Sequence, residues 1–368
     1  MTNKAIIGLQ FGDEGKGITT DYHVSKSVYP LVIRYSGGQQ AGHQVRVGDT
    51  RHIFSNFGSG TLRGADTYWS KFCTVDPIGM MNEYIVLLEK GILPTLYIDE
   101  RCPVTTPYDA YHNQSVETVN QHGSCGIGVG ATMGREEDFY SLTVGDLFTP
   151  SILKTKLQSI EKYYNHTNRI SIDSFLRSVD HLMDSNHIQK CYGIPENGYT
   201  EHIFEGSQGL LLDQHYGFFP NVTRANVGTT NILELSDDIE LYLVTRAYQT
   251  RHGNGFMTNE DIPHNIKKNE HETNLTNKYQ GKFRRTILDL DLLEYAINKD
   301  EYIRFSKNKT LVITCLDHIK MERTVTYKGE IIHYESRTAM VRGIRDILGI
   351  KNVLVSNSDE SNNFTKFG

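Results

Sequence analysis

Between residues 6 and 23 the chain reads IIGLQFGDEGKGITTDYH, an apolar strand pattern that runs into a glycine-rich turn and then into a helix. Asp13, Glu14 and Lys16 stand in that turn among Gly12, Gly15 and Gly17. A strand that ends in glycines before a helix N-terminus leaves backbone N–H groups and a positive dipole end facing outward, which suits a phosphate or oxyanion. The glycines let the backbone approach a ligand closely, and Lys16 adds a point charge for a phosphate oxygen. The carboxylates set this turn apart. An acid inside an anion cradle is costly unless it binds Mg²⁺ or takes a proton from the substrate, so Asp13 and Glu14 point to chemistry. The loop is not a Walker A motif, which requires glycine five residues before the Gly-Lys pair and Ser or Thr after it; Gln10 and Gly17 stand there. For such a motif standing alone, a tight turn with solvated charges is the competing explanation.

It does not stand alone. RYSGGQQAGHQV follows LVI, FEGSQGLLLD follows a strand pattern, TRHGNGF follows another, and QHGSCGIGVGATMGR packs five glycines into fifteen residues. Ligand sites of parallel sheets lie outside the carboxyl ends of strands, so several such clusters with polar side chains between the glycines read as one site.

The elements that must position these residues follow from periodicity. AIIGL, LVIRY, HIFSNF, TLYID, HIFEG, LYLVTRAY, TLVITCL and NVLVSN are strand patterns. Helical patterns cover DPIGMMNEYIVLLEKG, residues 150–157, ISIDSFLRSVDHLMDS and TAMVRGIRDILG. The alternation predicts an α/β chain, a single large unit over residues 1–368 with a central, mostly parallel sheet flanked by helices. The polar stretch 254–280 reads as a mobile loop over a site. A formal net charge of −6 over 368 residues, with no lysine/arginine run, argues against nucleic-acid and membrane-surface binding. No secretory signal or apolar membrane span is visible. Cys73, Cys102, Cys125, Cys191 and Cys315 are odd in number and scattered, which fits a reducing cytoplasm better than a disulfide framework or a metal motif.

The GDEGKG turn, Gly37-Gly38, Ala41-Gly42-His43, Glu205-Gly206-Ser207-Gln208-Gly209 with Leu211-Leu212-Asp213, and RAYQTRHGNG at 246–255 together resemble the adenylosuccinate synthetase family. Order and spacing match from the first strand to Asp317, in the manner of the compact archaeal and viral members. The resemblance implies that family's P-loop-related fold and a homodimer. It also implies a two-step ligation: a nucleoside triphosphate phosphorylates the 6-oxygen of a purine nucleoside monophosphate, IMP foremost, and the amino group of aspartate then displaces the phosphate.

On this resemblance Asp13 is the base on purine N1 and a Mg²⁺ ligand, with the Gly42 carbonyl completing the metal site. His43 is the acid beside the transferred phosphoryl group, a task an imidazole can perform near neutral pH. Lys16 stabilises charge on that group, and Gln208 contacts the base near its 6-oxygen. Gly12, Glu14, Gly15, Gly17 and Gly42 are expected at the nucleotide, with Asp317 and Ser356 at its base. Gln40, Ser124, Cys125 and Thr223 are expected at the monophosphate, together with Arg135 reaching across a dimer interface. Lys282, Arg284 and Arg285 are expected at the amino acid.

The chain departs from the family in four places. The loop Gly-Thr-Thr-Gly-Arg-Gly-Ile-Gly is here Gly123-Ser124-Cys125-Gly126-Ile127-Gly128-Val129-Gly130, so its phosphate and sugar contacts differ. Of the run Thr-Thr-Gly-Arg-Arg-Arg-Arg only Lys282, Arg284 and Arg285 remain. Thr-Lys-Leu-Asp has become Thr314-Cys315-Leu316-Asp317, and Ser-Thr-Gly-Pro has become Ser356-Asn357-Ser358-Asp359. Asp317 keeps GTP as the donor in view while ATP stays open. The alternatives are the viral type that uses (d)GMP and a catalytically silent nucleotide-binding paralogue; retention of Asp13 favours IMP.

Overall fold

The computed structural model describes residues 2–120, 123–267 and 281–367. Strand β1 (Thr2–Gly8), whose Ala5, Ile6 and Ile7 are wholly buried, lies inside a ten-stranded sheet. From one edge the order is Phe364–Phe367, Asn352–Ser356, Lys309–Thr314, Glu240–Arg246, β1, Glu201–Gly209, β2 (Pro30–Arg34), Asp66–Trp69, Leu96–Asp99 and Ile188–Cys191. Every neighbouring pair is parallel except the edge pair at Phe364–Phe367.

Successive side chains of these strands divide between the two faces. Ala5, Ile7, Leu31, Ile33, Leu311 and Ile313 join one core with the helices Leu290–Lys299 and Arg337–Leu348. Ile6, Val32 and Val312 join the other with Ile18 and Tyr22 of helix α1 (Lys16–Val24). Burial on both faces explains why the central strands read as continuous apolar runs. A further core under the Asp66–Trp69 and Leu96–Asp99 strands holds Trp69, Met80 and Phe175, and packs the helices Pro77–Glu89, Pro150–Tyr164 and Asp173–Asp184.

Two local outcomes bear on the site. HIFSNF contributes the strand Thr50–Phe54, which pairs antiparallel with His43–Val47 in a hairpin outside the large sheet. The two-residue connection Gly48-Asp49 has Gly48 at φ 57°, the left-handed conformation such tight hairpins need. The second is the helix Val129–Glu137, which begins inside the glycine cluster after Gly128 at φ 97°. Its Gly130 and Gly134 hid it from propensity. The strand at 66–69 and the helix Pro107–Asn120 also escaped the pattern reading, the first for its shortness and the second for its polarity. No helix among the described residues is long and apolar enough to cross a membrane.

Candidate active site

The turn after β1 is built from positive-φ residues: Gly12 at 93°, Asp13 at 60° and Gly15 at 97°. Aspartate tolerates this region better than most side chains, and a non-glycine residue held there is a mark of functional sites. Glu14 is fully buried, and its carboxylate turns back into the loop. It accepts hydrogen bonds from the amides of Gln10 at 3.1 Å and Gly12 at 2.9 Å, and it pairs with Lys16 Nζ at 2.6 Å. A Cβ on Gly8 or Gly209 would collide with that carboxylate. The carboxylate expected at the nucleotide is thus the anchor that shapes the turn. Thr314 Oγ1 completes it, donating to the Glu14 carbonyl at 2.6 Å. Gly17 stands where Walker loops have a hydroxyl because a Cβ there would lie 2.9 Å from the Cβ of His43.

His43 opens the hairpin and is 7 % exposed. Its Nδ1 lies 2.7 Å from Glu205 Oε1 and its Nε2 3.4 Å from the Ser207 carbonyl. Glu205, fully buried on the strand beside β1, also accepts from the Ser59 amide at 3.1 Å and from the Ser59 hydroxyl. Burial holds the imidazole below its ordinary value, with Glu205 pulling the other way. For Glu205 burial raises the carboxyl, but His43, Arg34 and Ser59 outweigh it and bring it down to about 2. Glu205 is therefore the fixed anion of the pair, and it orients the ring by taking the Nδ1 proton in a hydrogen bond. A negative charge placed beside Nε2 would favour the imidazolium, the form that donates from both ring nitrogens.

Two cavities meet over this machinery. The first, of about 590 Å³, is lined by Asp13, Glu14, Gly15, Lys16, Gly17, Gly42, His43, Asp317 and residues 357–359. The second, of about 980 Å³, is lined by Ser124, Cys125, Thr223, Arg135 and Arg224 among others. Gln40, Gln208, Leu212 and His252 belong to both walls. Gln208 hangs over the turn, its Oε1 3.0 Å from where a Cβ of Gly12 would sit. Both amide atoms of Gln40 are buried without a partner among the described residues, and such atoms at a cavity wall are what a polar ligand satisfies.

The family profile of adenylosuccinate synthetase matches residues 5–347. The chain belongs to the adenylosuccinate synthetase family. It is 32 % identical to the adenylosuccinate synthetase of Buchnera aphidicola over 348 residues, 87 % of this chain and 80 % of that protein. It is 31 % identical to that of Thermosipho africanus over 350 residues, 89 % and 84 % of the two chains. The fully ligated adenylosuccinate synthetase of Plasmodium falciparum superposes with a TM-score of 0.74 at 17 % identity, covering 99 % of both chains. A cyanophage S-2L succinoaminodeoxyadenylate synthetase, bound to dGMP and dATP, superposes with a TM-score of 0.66 at 14 % identity, covering 100 % of this chain and 95 % of that one. These two likenesses establish the shared fold. As a member of the adenylosuccinate synthetase family the chain is a ligase that forms a C–N bond.

Against that family's pattern, several expected residues lie elsewhere. Arg135 is fully buried, bound to Asp109 Oδ1 at 2.9 Å, Glu136 Oε1 at 2.9 Å, the Val104 carbonyl at 2.8 Å and the Tyr140 carbonyl. Its donors are spent inside its own chain, so on the wall of the second cavity it is held as a strut by its own neighbours. Ser356 is buried with its hydroxyl on the Ser358 carbonyl at 2.9 Å, and the residues after it line the first cavity. Lys282, Arg284 and Arg285 line neither cavity. Arg284 donates to the carbonyls of Gly253 at 3.0 Å and Gly255 at 2.8 Å and pairs with Glu260 at 2.9 Å, while Arg285 donates to the Lys267 carbonyl at 3.1 Å. These arginines sit on the strand Phe283–Thr286, paired with Gln249–His252, and brace the stretch that follows.

That stretch was expected to be a mobile loop over 254–280. Residues 254–267 are tied down, with Asn259 Nδ2 on Thr326 Oγ1 at 2.8 Å and the Lys267 amide on the His318 carbonyl at 2.8 Å; residues 268–280 lie outside the described residues.

Sequence reasoning assigned no role to Glu205, Ser59, Thr314 or Arg246. Arg246 ends a parallel strand and donates from Nε to the Asp13 carbonyl, and from Nη1 to the Tyr248 hydroxyl at 2.8 Å. For Arg246 and Thr314 the visible signal was position, since each ends a strand, as ligand-site residues do.

Proposed function

We propose that this ligase phosphorylates the 6-oxygen of IMP from a nucleoside triphosphate and joins aspartate at C6, giving adenylosuccinate. The observation that carries the reading is the pair of cavities sharing Gln40 and Gln208, with Asp13 and His43 on the first wall: one nucleotide per cavity brings a terminal phosphoryl group and a purine 6-oxygen to the same place. Asp13 takes the N1 proton and so raises the nucleophilicity of the oxygen. His43, oriented by Glu205, donates to the phosphoryl group as it transfers. The backbone of the GDEGKG turn and Lys16 offset the charge.

Among the described residues no cluster of three or more His, Cys, Asp or Glu side chains forms a metal cage. That suits Mg²⁺, which binds through one or two protein oxygens together with substrate phosphates and water. The Asp13 carboxylate and the Gly42 carbonyl, both on the first wall, would hold it. When bound it neutralises charge on the phosphates. Arg46, Arg246 and Lys267 line the same cavity and provide positive charge for the carboxylates of aspartate.

GTP is the favoured donor, because the Asp317 carboxylate on the first wall can accept from guanine N1 and N2 and adenine offers no such pair. Asp317→Asn should then weaken GTP far more than ATP, and equal losses on both would remove Asp317 from base reading. The five cysteines are all free, which supports a cytoplasmic home, and Phe139, 93 % exposed, supports a homodimer that covers it. The deciding experiment is a substrate matrix of IMP, dIMP, GMP and dGMP against ATP and GTP with several amino acids. Adenylosuccinate from IMP, GTP and aspartate as the fastest product is expected. Turnover restricted to dGMP, or none anywhere, would overturn the reading.

A further inference from the structure

A purine monophosphate in the second cavity brings a phosphate dianion, whose charge a cation on the wall would offset. The described arginines on that wall are Arg135, Arg224 and Arg251, and no described lysine joins them. Arg135 is consumed by Asp109, Glu136 and two carbonyls, and withdrawing it would strand a buried Asp109 carboxylate. Arg251 is 2 % exposed and gives its three nitrogens to the carbonyls of Asn254 at 3.0 Å, Phe256 at 2.7 Å and Asn221 at 2.9 Å.

Arg224 differs from both. It follows Thr223 on the same wall, its side chain is 53 % exposed, and among the described residues its ion-pair partner is Glu137 at 3.5 Å, longer than a charge-assisted hydrogen bond. An exposed pair of that length is weak and yields to a phosphate. The guanidinium lies over the helix Val129–Glu137 at Gly134, where the absent side chain leaves it room.

We propose that Arg224 holds the phosphate of the purine monophosphate from within the same chain, beside Thr223, and so selects monophosphates over nucleosides. This rests on the reading of the second cavity as the monophosphate site. It replaces an arginine arriving from a partner subunit with one supplied locally. The planar fork of the guanidinium suits two phosphate oxygens, which a lysine would meet only as a point charge.

Binding of IMP to the full chain, measured by calorimetry, tests this without requiring turnover. Arg224→Gln should weaken IMP at least about tenfold and leave inosine unchanged, with Arg224→Lys in between. Glu137→Gln separates a ligand contact from a structural pair: IMP should bind as tightly as before or more tightly, and a loss matching that of Arg224→Gln would overturn the proposal. So would IMP affinity within twofold of wild type in Arg224→Gln, or wild-type chain that fails to bind IMP. Arg224→Gln subunits mixed with Asp13→Asn subunits should show no restored ligation; restored activity would mean that the arginine acts in trans. If wild-type chain binds IMP through Arg224 yet ligates nothing, the ligase reading falls and this inference stands.

Discussion

Asp13 has two features at once, a carboxylate on the first cavity wall and a left-handed backbone held by neighbours, with its carbonyl bound by Arg246. Asp13→Asn keeps the shape and removes the base, so ligation should fall on the order of 10²–10⁴-fold with the thermal midpoint unchanged. Near wild-type turnover of that variant would remove Asp13 from the chemistry. Glu205 acts at one remove, through the His43 ring. Glu205→Gln leaves a neutral partner at Nδ1, and the phosphoryl-transfer step, followed as rapid-quench formation of the nucleoside diphosphate, should slow by about 10²-fold while IMP affinity stays put. Equal losses in both would mark Glu205 as a packing residue.

At the scale of elements, the antiparallel pair Gln249–His252 and Phe283–Thr286 carries the arginines that sequence comparison put at the amino acid. Arg284 binds two carbonyls and Glu260 in its own neighbourhood, so its removal should register as stability. Arg284→Ala should lower unfolding free energy by about 1–3 kcal/mol in urea melts and leave the Michaelis constant for aspartate within twofold. A rise in that constant without a stability loss would return Arg284 to the substrate. The GDEGKG turn makes a sharper case. Gly209→Ala puts a methyl group into the Glu14 carboxylate and the Gln10 carbonyl, neither of which can retreat, so soluble protein should be lost or nucleotide binding abolished.

Across the whole molecule, the outer part of the sheet is clasped at Asp99, a buried carboxylate. It accepts from Tyr68 at 2.8 Å, from Arg101 at 2.7 Å and from the Gly193 amide at 3.0 Å, joining three neighbouring strands near their carboxyl ends. Burial raises this carboxyl, but the bonds from Arg101, Tyr68 and Gly193 outweigh it and hold it at about 2, below the ordinary 3.8. A folded-state value below the unfolded one gives stability that is present above the unfolded value and lost as pH falls through the folded one. Stability should therefore decline between about pH 4 and pH 2, and Asp99→Asn should flatten that part of the profile. An unchanged slope in urea titrations across that window would show that Asp99 is not a source of acid sensitivity.

The parallel sheet, its glycine turns and the meeting of Asp13 and His43 on one cavity wall were legible because each is a local pattern: an apolar run, a break, a polar residue where a strand stops. The family likeness rested on the same short segments. What Glu14, Arg135 and Arg284 do was not legible, because a charged side chain reads alike whether it faces a ligand or a neighbour. Its direction depends on residues far along the chain. Thr314, 300 positions from Glu14, closes the turn, and Glu205, 162 positions from His43, aims the ring. Local spacing carries the strand and the turn, whereas the direction of a buried charge is set by which partner the folded chain brings within 3 Å of it, since an unpaired charge cannot stay buried.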